Sequence, residues 1–387
     1  MKKKILLSSA FIATISTSSL SANNGVLSMF KDAKVTGEIR TLTSIIKEDT
    51  AQDNYATAIG GTLQYKLADY KGFGGGLSFI TTNDIDALSG DDTKRNPNLS
   101  GKKEEYNQLN EAYISYSIDK LLVKFGRQFL DTPLADSDDI RMVANSFDAY
   151  TLFYEDDNFN IMLGHLKKWQ GTDAGLDDDW VKTGKDGTHF IGATFKNDLL
   201  AIQGWYYNFD GSDENANNSL YIDATTNYEI NKAISIDFSM QYLNQTELKN
   251  SGISSNIFGI MAESDIDNIG LSLAYNKATK KSDKHSFSGY GGGTLFTNMD
   301  TMILDEITQD RDVDAIVASV SYSFDFVDIL YSYGNFSGSA NSTNQKEDKT
   351  EQDLVVEYSY NDNLDIETVY ILGSDTQNLR LKVNYNF

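Results

Sequence analysis

The sequence lacks cysteine, has only two prolines in 387 residues, and carries far fewer basic than acidic side chains. The absence of cysteine excludes a disulfide framework and any thiolate metal site. With 33 basic and 56 acidic residues the formal net charge is −23, which argues against a nucleic-acid partner because such partners need basic surface. Beyond the amino-terminal region, no stretch is long and apolar enough to be a transmembrane helix.

Aromatic residues and glycine are abundant, with 22 tyrosines, 20 phenylalanines and 29 glycines. So many aromatic side chains are not expected in a disordered acidic chain. The mean hydropathy is nevertheless only −0.39. Low hydropathy with many aromatic residues is typical of a transmembrane β-barrel, because half of every barrel strand faces water. The composition therefore favours an all-β protein.

The amino-terminal residues indicate export from the cytoplasm. Three lysines at positions 2–4 precede an apolar run over residues 5–15, and small residues follow as far as Ala22. This is the pattern of a secretory signal peptide, so we expect residues 1–22 to be removed. The cleavage site has no cysteine, which excludes a lipoprotein. Residues 23–387 are then expected to form a single barrel.

Alternation of apolar and polar side chains marks strands throughout the rest of the chain. The last eleven residues show it clearly, with apolar side chains at every second position from Leu379 to Phe387. Such segments number about eighteen, with tight turns after even-numbered strands and mostly longer loops after odd-numbered ones. Pro97 and Pro133 both fall in the longer loops, where no ladder hydrogen bond is lost. We predict a transmembrane antiparallel barrel closed between its first and last strands, with both termini in the periplasm.

The end of the last strand resembles the assembly signal of bacterial outer-membrane barrels, whose final strand ends in phenylalanine. Tyr385 and Phe387 occupy the corresponding positions. The resemblance implies that the barrel assembly machinery is a partner, and that the protein resides in the outer membrane of a Gram-negative bacterium. The lipids of that membrane, including lipopolysaccharide, are then also expected partners.

One longer motif resembles the OprD family of outer-membrane porins. Gly126-Arg127-Gln128 ends the fifth predicted strand, a short acidic loop follows, and Arg141-Met142 leads to Phe147 and Tyr150. The family has eighteen strands and forms channels, often homotrimers, that favour particular small hydrophilic solutes. Its third external loop folds into the lumen and narrows it. The resemblance implies the same role for residues 131–141.

This inward loop predicts a charged pore constriction, since a transverse field would orient polar solutes. Arg127 has the lipid-facing parity of its strand unless Gly126 carries a bulge. The row of lumenal arginines conspicuous in the family is sparse in this sequence. The residues assigned to the constriction are Arg127, Asp131, Asp136, Asp138, Asp139 and Arg141.

A second predicted feature is a basic patch where the first and last strands meet. Arg40, Arg380 and Lys382 have the lumenal parity of their strands, and counting from the chain ends places both arginines at a similar height. The patch could guide carboxylate groups through the pore. Alternatively, these cations are structural partners of Glu38 and Glu367, in pairs worth roughly 0.2–1 kcal/mol.

Two other functions are compatible with the sequence. A general diffusion porin or major structural outer-membrane protein is the main alternative. A barrel enzyme is a third possibility, since His165 has lipid-facing parity, but the three histidines show no metal-enzyme spacing and no catalytic residue is assigned. We expect no cofactor and no metal site apart from Ca²⁺ at the acidic groups around residues 136–139 and 177–179, where it could bridge to lipopolysaccharide phosphate.

Overall fold

The computed structural model describes residues 25–49, 52–91, 93–138, 140–176, 179–210, 214–231, 234–280, 283–291 and 293–387. The expected signal peptide, Asp139, Asp177 and Asp178 therefore lie outside the described residues. The described residues include two short α-helices, α1 (Leu27–Lys31) and α2 (Leu304–Ile307), and a 3-10 turn at Asp86–Leu88. Among the described residues, no helix has the length and apolarity needed to cross a membrane.

Strands dominate the chain, as their alternating side chains predict. The barrel strands are β1 (Lys34–Glu48), β2 (Asn54–Lys66), β3 (Phe73–Asp84), β4 (Glu105–Ile118), β5 (Leu121–Gln128), β6 (Ser146–Glu155), β7 (Phe159–Gln170), β8 (Thr188–Lys196), β9 (Leu200–Phe209), β10 (Asn217–Asn231), β11 (Ile234–Glu247), β12 (Ser255–Ile266), β13 (Ile269–Lys280), β14 (Val313–Ser323), β15 (Val327–Gly338), β16 (Glu347–Ser359), β17 (Leu364–Gly373) and β18 (Thr376–Asn386). Three two-residue strands lie in loops, at Asp131–Thr132, Ala135–Asp136 and Val181–Lys182.

The sheet closes between β1 and β18, which pair antiparallel from Glu38 opposite Asn386 to Glu48 opposite Thr376. Beyond that ladder, Phe387 and Gly37 exchange two backbone hydrogen bonds of 2.9 Å. Gly37 is required here, because a Cβ atom on it would lie 2.6 Å from the Phe387 ring. Closure removes the unpaired edges that an open sheet would expose. The predicted all-β, eighteen-stranded antiparallel barrel is confirmed.

The connections differ in length between the two ends of the barrel. At one end, tight turns such as residues 119–120 and 267–268 join neighbouring strands. The long connections lie at the other end, and four of them matter for the pore. They are loop 2 (residues 85–104), loop 3 (129–145), loop 4 (171–187) and loop 7 (281–312). Short turns on one side and long loops on the other are the usual arrangement in membrane barrels.

Candidate pore and its constriction

Aromatic side chains cover one side of the barrel interior, a surface called here the aromatic wall. It comprises the buried side chains Phe147, Trp169, Phe190, Trp205, Tyr207 and Phe209, on strands β6–β9. The rings of Trp205 and Tyr207 lie 6.1 Å apart and those of Tyr207 and Phe209 lie 5.4 Å apart, in stacked pairs. Alternation alone had predicted a polar lumen. One sequence feature could have predicted the aromatic wall. It is the run Trp205-Tyr206-Tyr207-Asn208-Phe209, which places aromatic side chains on both faces of its strand.

The facing side of the interior carries polar and ionised groups and is called here the charged wall. It comprises Arg40 on β1, Glu351 and Asp353 on β16, and Arg380 on β18. All four are buried, Glu351 completely. Burying such groups is costly unless they are paired or hydrogen-bonded, so their partners decide how the pore is organised.

Loop 3 reaches both walls. At the aromatic wall, Leu134 is 2 % exposed and packs in the same cluster as Phe147 and Tyr207. Its backbone N–H donates to the Tyr207 hydroxyl at 3.4 Å. At the charged wall, the carbonyl of Arg141 accepts a hydrogen bond from the Arg40 guanidinium. Loop 3 therefore lies across the lumen.

Loop 7 also reaches both walls, although no pattern in the sequence indicated that it enters the lumen. Tyr290 packs against Trp169, with ring centroids 5.1 Å apart, and its hydroxyl donates to the Thr183 carbonyl at 3.0 Å. Asp300 forms a two-point ion pair with Arg380, in which Nη1 lies 2.7 Å from Oδ1. Planar two-point pairs of this kind are the strongest that arginine forms with a carboxylate.

The two loops are joined to each other inside the barrel. Tyr290 N–H donates to the Leu134 carbonyl at 3.0 Å, and Asp136 N–H donates to the Tyr290 carbonyl at 3.0 Å. Further contacts hold loop 7, since both N–H and hydroxyl of Thr301 donate to the buried carboxylate of Glu351. Loops 3 and 7 consequently act as one inserted unit rather than as two separate loops.

A narrow space remains between Arg141 of this unit, loop 2 and the charged wall. A cavity of about 30 Å³ is lined by Ser44, Ile46, Asn96, Asn98, Leu99, Arg141, Asn378 and Arg380. Arg141 also lines a second, smaller cavity with Asp138 and Asp173. The structure thus brings Arg141 of the predicted constriction next to Arg380 of the predicted basic patch. One residue of each predicted feature therefore lines this cavity.

Two residues that line the larger cavity carry polar atoms without a hydrogen-bond partner. Among the described residues, Arg380 Nε and Asn378 Oδ1 are buried and have no hydrogen-bond partner. Arg141 is ion-paired to Asp173 of loop 4 at 3.7 Å and remains partly exposed. Unpaired buried donors and acceptors of this kind are expensive, so a water or solute that satisfies them gains affinity.

The acidic residues of loop 3 lie at different depths. Asp136 is half-buried at the junction with loop 7, whereas Asp131 is exposed. Burial, together with the nearby charges of Asp131 and Asp138, raises the pKa of the Asp136 carboxyl to about 7. Asp136 is therefore a loop 3 acid whose charge changes near neutral pH.

Arg127 does not belong to this site, and its assignment to the constriction is wrong. It lies opposite Ala112 and Asp148, on the same outward face as the exposed Phe125. Its Nη1 donates to the Leu109 carbonyl at 2.9 Å, and its guanidinium lies 4.6 Å from the Trp180 ring centre. Gly126 does have a positive φ of 119°, but the side chain of Arg127 still faces outward.

The predicted basic patch also needs correction. Arg380 lies opposite Ser44, whereas Arg40 lies opposite Asn384. Four residues of strand separate the two arginines, roughly 13 Å, so the expectation of similar height is wrong. Counting from the chain ends fails because β1 and β18 start from different points in the register.

Each cation of the patch has a carboxylate partner. Arg40 Nη2 lies 3.0 Å from Glu38, and Lys382 lies 3.0 Å from Glu367, while Arg380 binds Asp300. Tyr385 and Phe387, assigned to the assembly signal, stack at the closing seam with centroids 6.5 Å apart. Within the described ranges, no group of three or more His, Asp or Glu side chains is placed to hold a metal ion.

The described chain is a closed eighteen-stranded barrel whose lumen is crossed by two of its loops. No family model and no curated protein matches the sequence. Solved structures do match in fold. A BenF-like porin from Pseudomonas fluorescens Pf-5 has a TM-score of 0.79 and 14% identity, covering 92% of this chain and 99% of that chain.

Two further structures show the same similarity. OccAB4 of Acinetobacter baumannii has a TM-score of 0.77 and 16% identity over 92% of this chain and 98% of that chain. OpdK of Pseudomonas aeruginosa, in a structure with vanillate, has a TM-score of 0.75 and 14% identity over 91% of this chain and 98% of that chain. The chain has the fold of these porins along nearly its whole length.

Proposed function

We propose that this protein is an OprD-type porin of the Gram-negative outer membrane, through which small hydrophilic solutes diffuse passively and with partial selectivity. The observation that carries the proposal is the inserted unit of loops 3 and 7, which leaves a narrow cavity beside Arg141 and Arg380. A wide, open lumen would suit general diffusion instead. In the membrane, the short turns and both termini face the periplasm and the long loops face outward.

Small organic acids are the preferred solute class in this proposal. A carboxylate can accept hydrogen bonds from Arg141 and from the unpartnered Nε of Arg380, and charge-assisted bonds are roughly twice as strong as neutral ones. OpdK, which shares the fold, has been crystallised with vanillate, an aromatic carboxylate.

Liposome swelling and single-channel recording test this proposal. Purified protein is reconstituted and exposed to aromatic acids, aliphatic acids, amino acids and neutral sugars of similar size. We expect acids to enter faster than neutral sugars and to interrupt the single-channel current in a concentration-dependent way. Equal rates for all solutes of one size would favour the general diffusion porin, and no conductance at all would exclude both.

The working form in the membrane is proposed to be a homotrimer assembled by the barrel assembly machinery. The exposed apolar side chains that ring the barrel, such as Ile114 and Leu273, support burial in lipid or against another copy. Native mass spectrometry of the detergent-extracted protein measures the copy number directly. A monomer under conditions that keep the barrel folded would overturn the trimer.

A further inference from the structure

A row of aromatic side chains crosses the outside of the barrel near its loop end, over strands β5–β8. Neighbouring ring centroids lie 5.8 Å apart for Phe125 and Tyr150, 6.0 Å for Tyr150 and His165, and 4.5 Å for His165 and His189. The Nδ1 atoms of the two histidines lie 3.2 Å apart. Aromatic rows of this type mark the boundary between hydrocarbon and head groups in membrane barrels.

The residues on either side of this row fit that boundary. Toward the tight turns, the paired outward residues are apolar: Val123, Leu152, Leu163 and Ile191. Toward the loops, the next paired row is Arg127, Asp148, Lys168 and Lys182. The rows therefore run from apolar through aromatic to cationic along the barrel surface.

We call Arg127, Lys168 and Lys182 the cation row. Their three positive charges surround a single carboxylate, that of Asp148. Among the described residues, none of the three forms an ion pair within 4.0 Å. Lys167 lies beside the row, 5.6 Å from the Tyr150 ring centre. In a chain of net charge −23, such a local excess of positive charge stands out.

Three other lysines at the loop end do have carboxylate partners. Lys277 lies 3.4 Å from Asp314, Lys280 lies 3.4 Å from Asp310, and Lys349 contacts Asp375. Each of these lysines is neutralised by its own carboxylate. The residues of the cation row differ from these three lysines in lacking a carboxylate partner within 4.0 Å in the described part of the chain.

The geometry points to the cation row as a binding site for the phosphorylated head group of an outer-leaflet lipid, the diphosphorylated saccharide of lipopolysaccharide. The ligand must place anionic oxygens level with the cation row while its acyl chains lie against the apolar row below, and a lipid does both. Arginine and lysine are the side chains that bind phosphate, and each basic residue near an anionic membrane surface strengthens attachment.

This inference rests on the proposed function, because it needs the loop end to face the lipopolysaccharide leaflet. It differs from Ca²⁺ bridging at the acidic loops, since the cation row binds phosphate without a metal ion. It also gives Arg127 a role outside the pore. Trp180, whose ring lies under the guanidinium, orients Arg127 for that role.

Native mass spectrometry of the full protein in detergent tests the site. The protein is titrated with diphosphorylated lipid A and with the same lipid after enzymatic dephosphorylation. We expect the unmodified protein to bind the diphosphorylated form about tenfold or more tightly than the dephosphorylated form. The variant carrying Arg127→Gln, Lys168→Gln and Lys182→Gln should lose this preference.

A charge-matched control carries Lys277→Gln, Lys280→Gln and Lys349→Gln, and it should keep the preference. Heat-modifiable migration in gel electrophoresis confirms that each variant is a folded barrel. Equal binding of the two lipids by the unmodified protein would overturn the site. The control variant losing the preference as fully as the cation-row variant would also overturn it. The cation-row variant should conduct normally, so loss of lipid binding and loss of channel function are separate results.

Discussion

The aromatic wall and the charged wall hold the same inserted loops by different physical means. Against the aromatic wall, Leu134 and Tyr290 are held by packing over many small contacts. Against the charged wall, Asp300 is held by a buried ion pair with Arg380, and Thr301 is held by hydrogen bonds to Glu351. Packing contacts add up from weak, non-directional terms, whereas a buried ion pair fails when one partner is removed.

The comparison indicates how the pore can be selective and still be stable. The aromatic wall contributes a firm base that tolerates small changes of shape. The charged wall contributes the groups that meet the solute and is sensitive to single charges. Changes at the charged wall should therefore alter conductance more than comparable changes at the aromatic wall.

The largest effect is expected from deleting residues 134–139, which removes the part of loop 3 that contacts both Tyr207 and loop 7. With the junction gone, the inserted unit no longer crosses the lumen. Single-channel conductance should rise severalfold, and preference for acids over sugars should fall in swelling assays. An unchanged conductance in a folded barrel would place loop 3 outside the conducting path.

The next largest effect is expected from Asp300→Asn, which leaves Arg380 without its carboxylate. Removing one partner of a buried pair costs about 3–5 kcal/mol, so loop 7 should leave the charged wall part of the time. Current recordings should show a higher conductance with added noise. The double variant Asp300→Asn and Arg380→Gln removes both members of the ion pair, so neither is left unpaired. Its current noise should therefore be lower than that of the single variant.

If both variants behave alike, the ion pair does not hold loop 7. The walls would then not differ in the way described above. Hydrogen exchange of residues 293–302 gives an independent readout, because release of loop 7 should remove protection there.

A smaller effect is expected from pH, through Asp136 at the loop junction. Its folded-state pKa of about 7 lies above the ordinary 3.8, because burial and the charges of Asp131 and Asp138 disfavour ionisation. The docked loop is thus most stable at low pH and loses that stability as pH rises from about 4 to about 7. Between pH 6 and 8 the reversal potential should shift toward cations.

Asp136→Asn is the control for this titration, since the amide cannot ionise. Its reversal potential should be flat over the same range and should resemble that of the unmodified protein at low pH. A variant that keeps the full pH dependence would assign the titration to another group.

The smallest effect is expected from Tyr290→Phe at the aromatic wall. The ring packing stays, and only the hydrogen bond from the hydroxyl to the Thr183 carbonyl is lost. That carbonyl still accepts a bond from Thr188 at 3.1 Å, so the cost should be about 1 kcal/mol or less. Conductance should be unchanged within error. A change as large as that of Asp300→Asn would remove the distinction between the walls.

The sequence by itself determined the barrel. Period-two alternation, tight turns after even-numbered strands and the pairing pattern of the last strand are local signals, and they predicted eighteen strands and closure between β1 and β18. These signals are reliable because each strand residue must face either the lipid or the lumen, and the hydrophobicity of its side chain indicates which of the two it faces. The outward parity of Arg127 was visible too, although a bulge at Gly126 was weighed as an alternative.

Only the tertiary structure decided how the pore is arranged. Strand register placed Arg380 opposite Ser44 and not beside Arg40, and register depends on the stagger of the whole closed sheet. Insertion of loop 7 depends on Asp300 meeting Arg380, 80 residues away in the chain. No local pattern encodes such a contact, because its energy exists only once the barrel has brought the two walls within reach of the same loop.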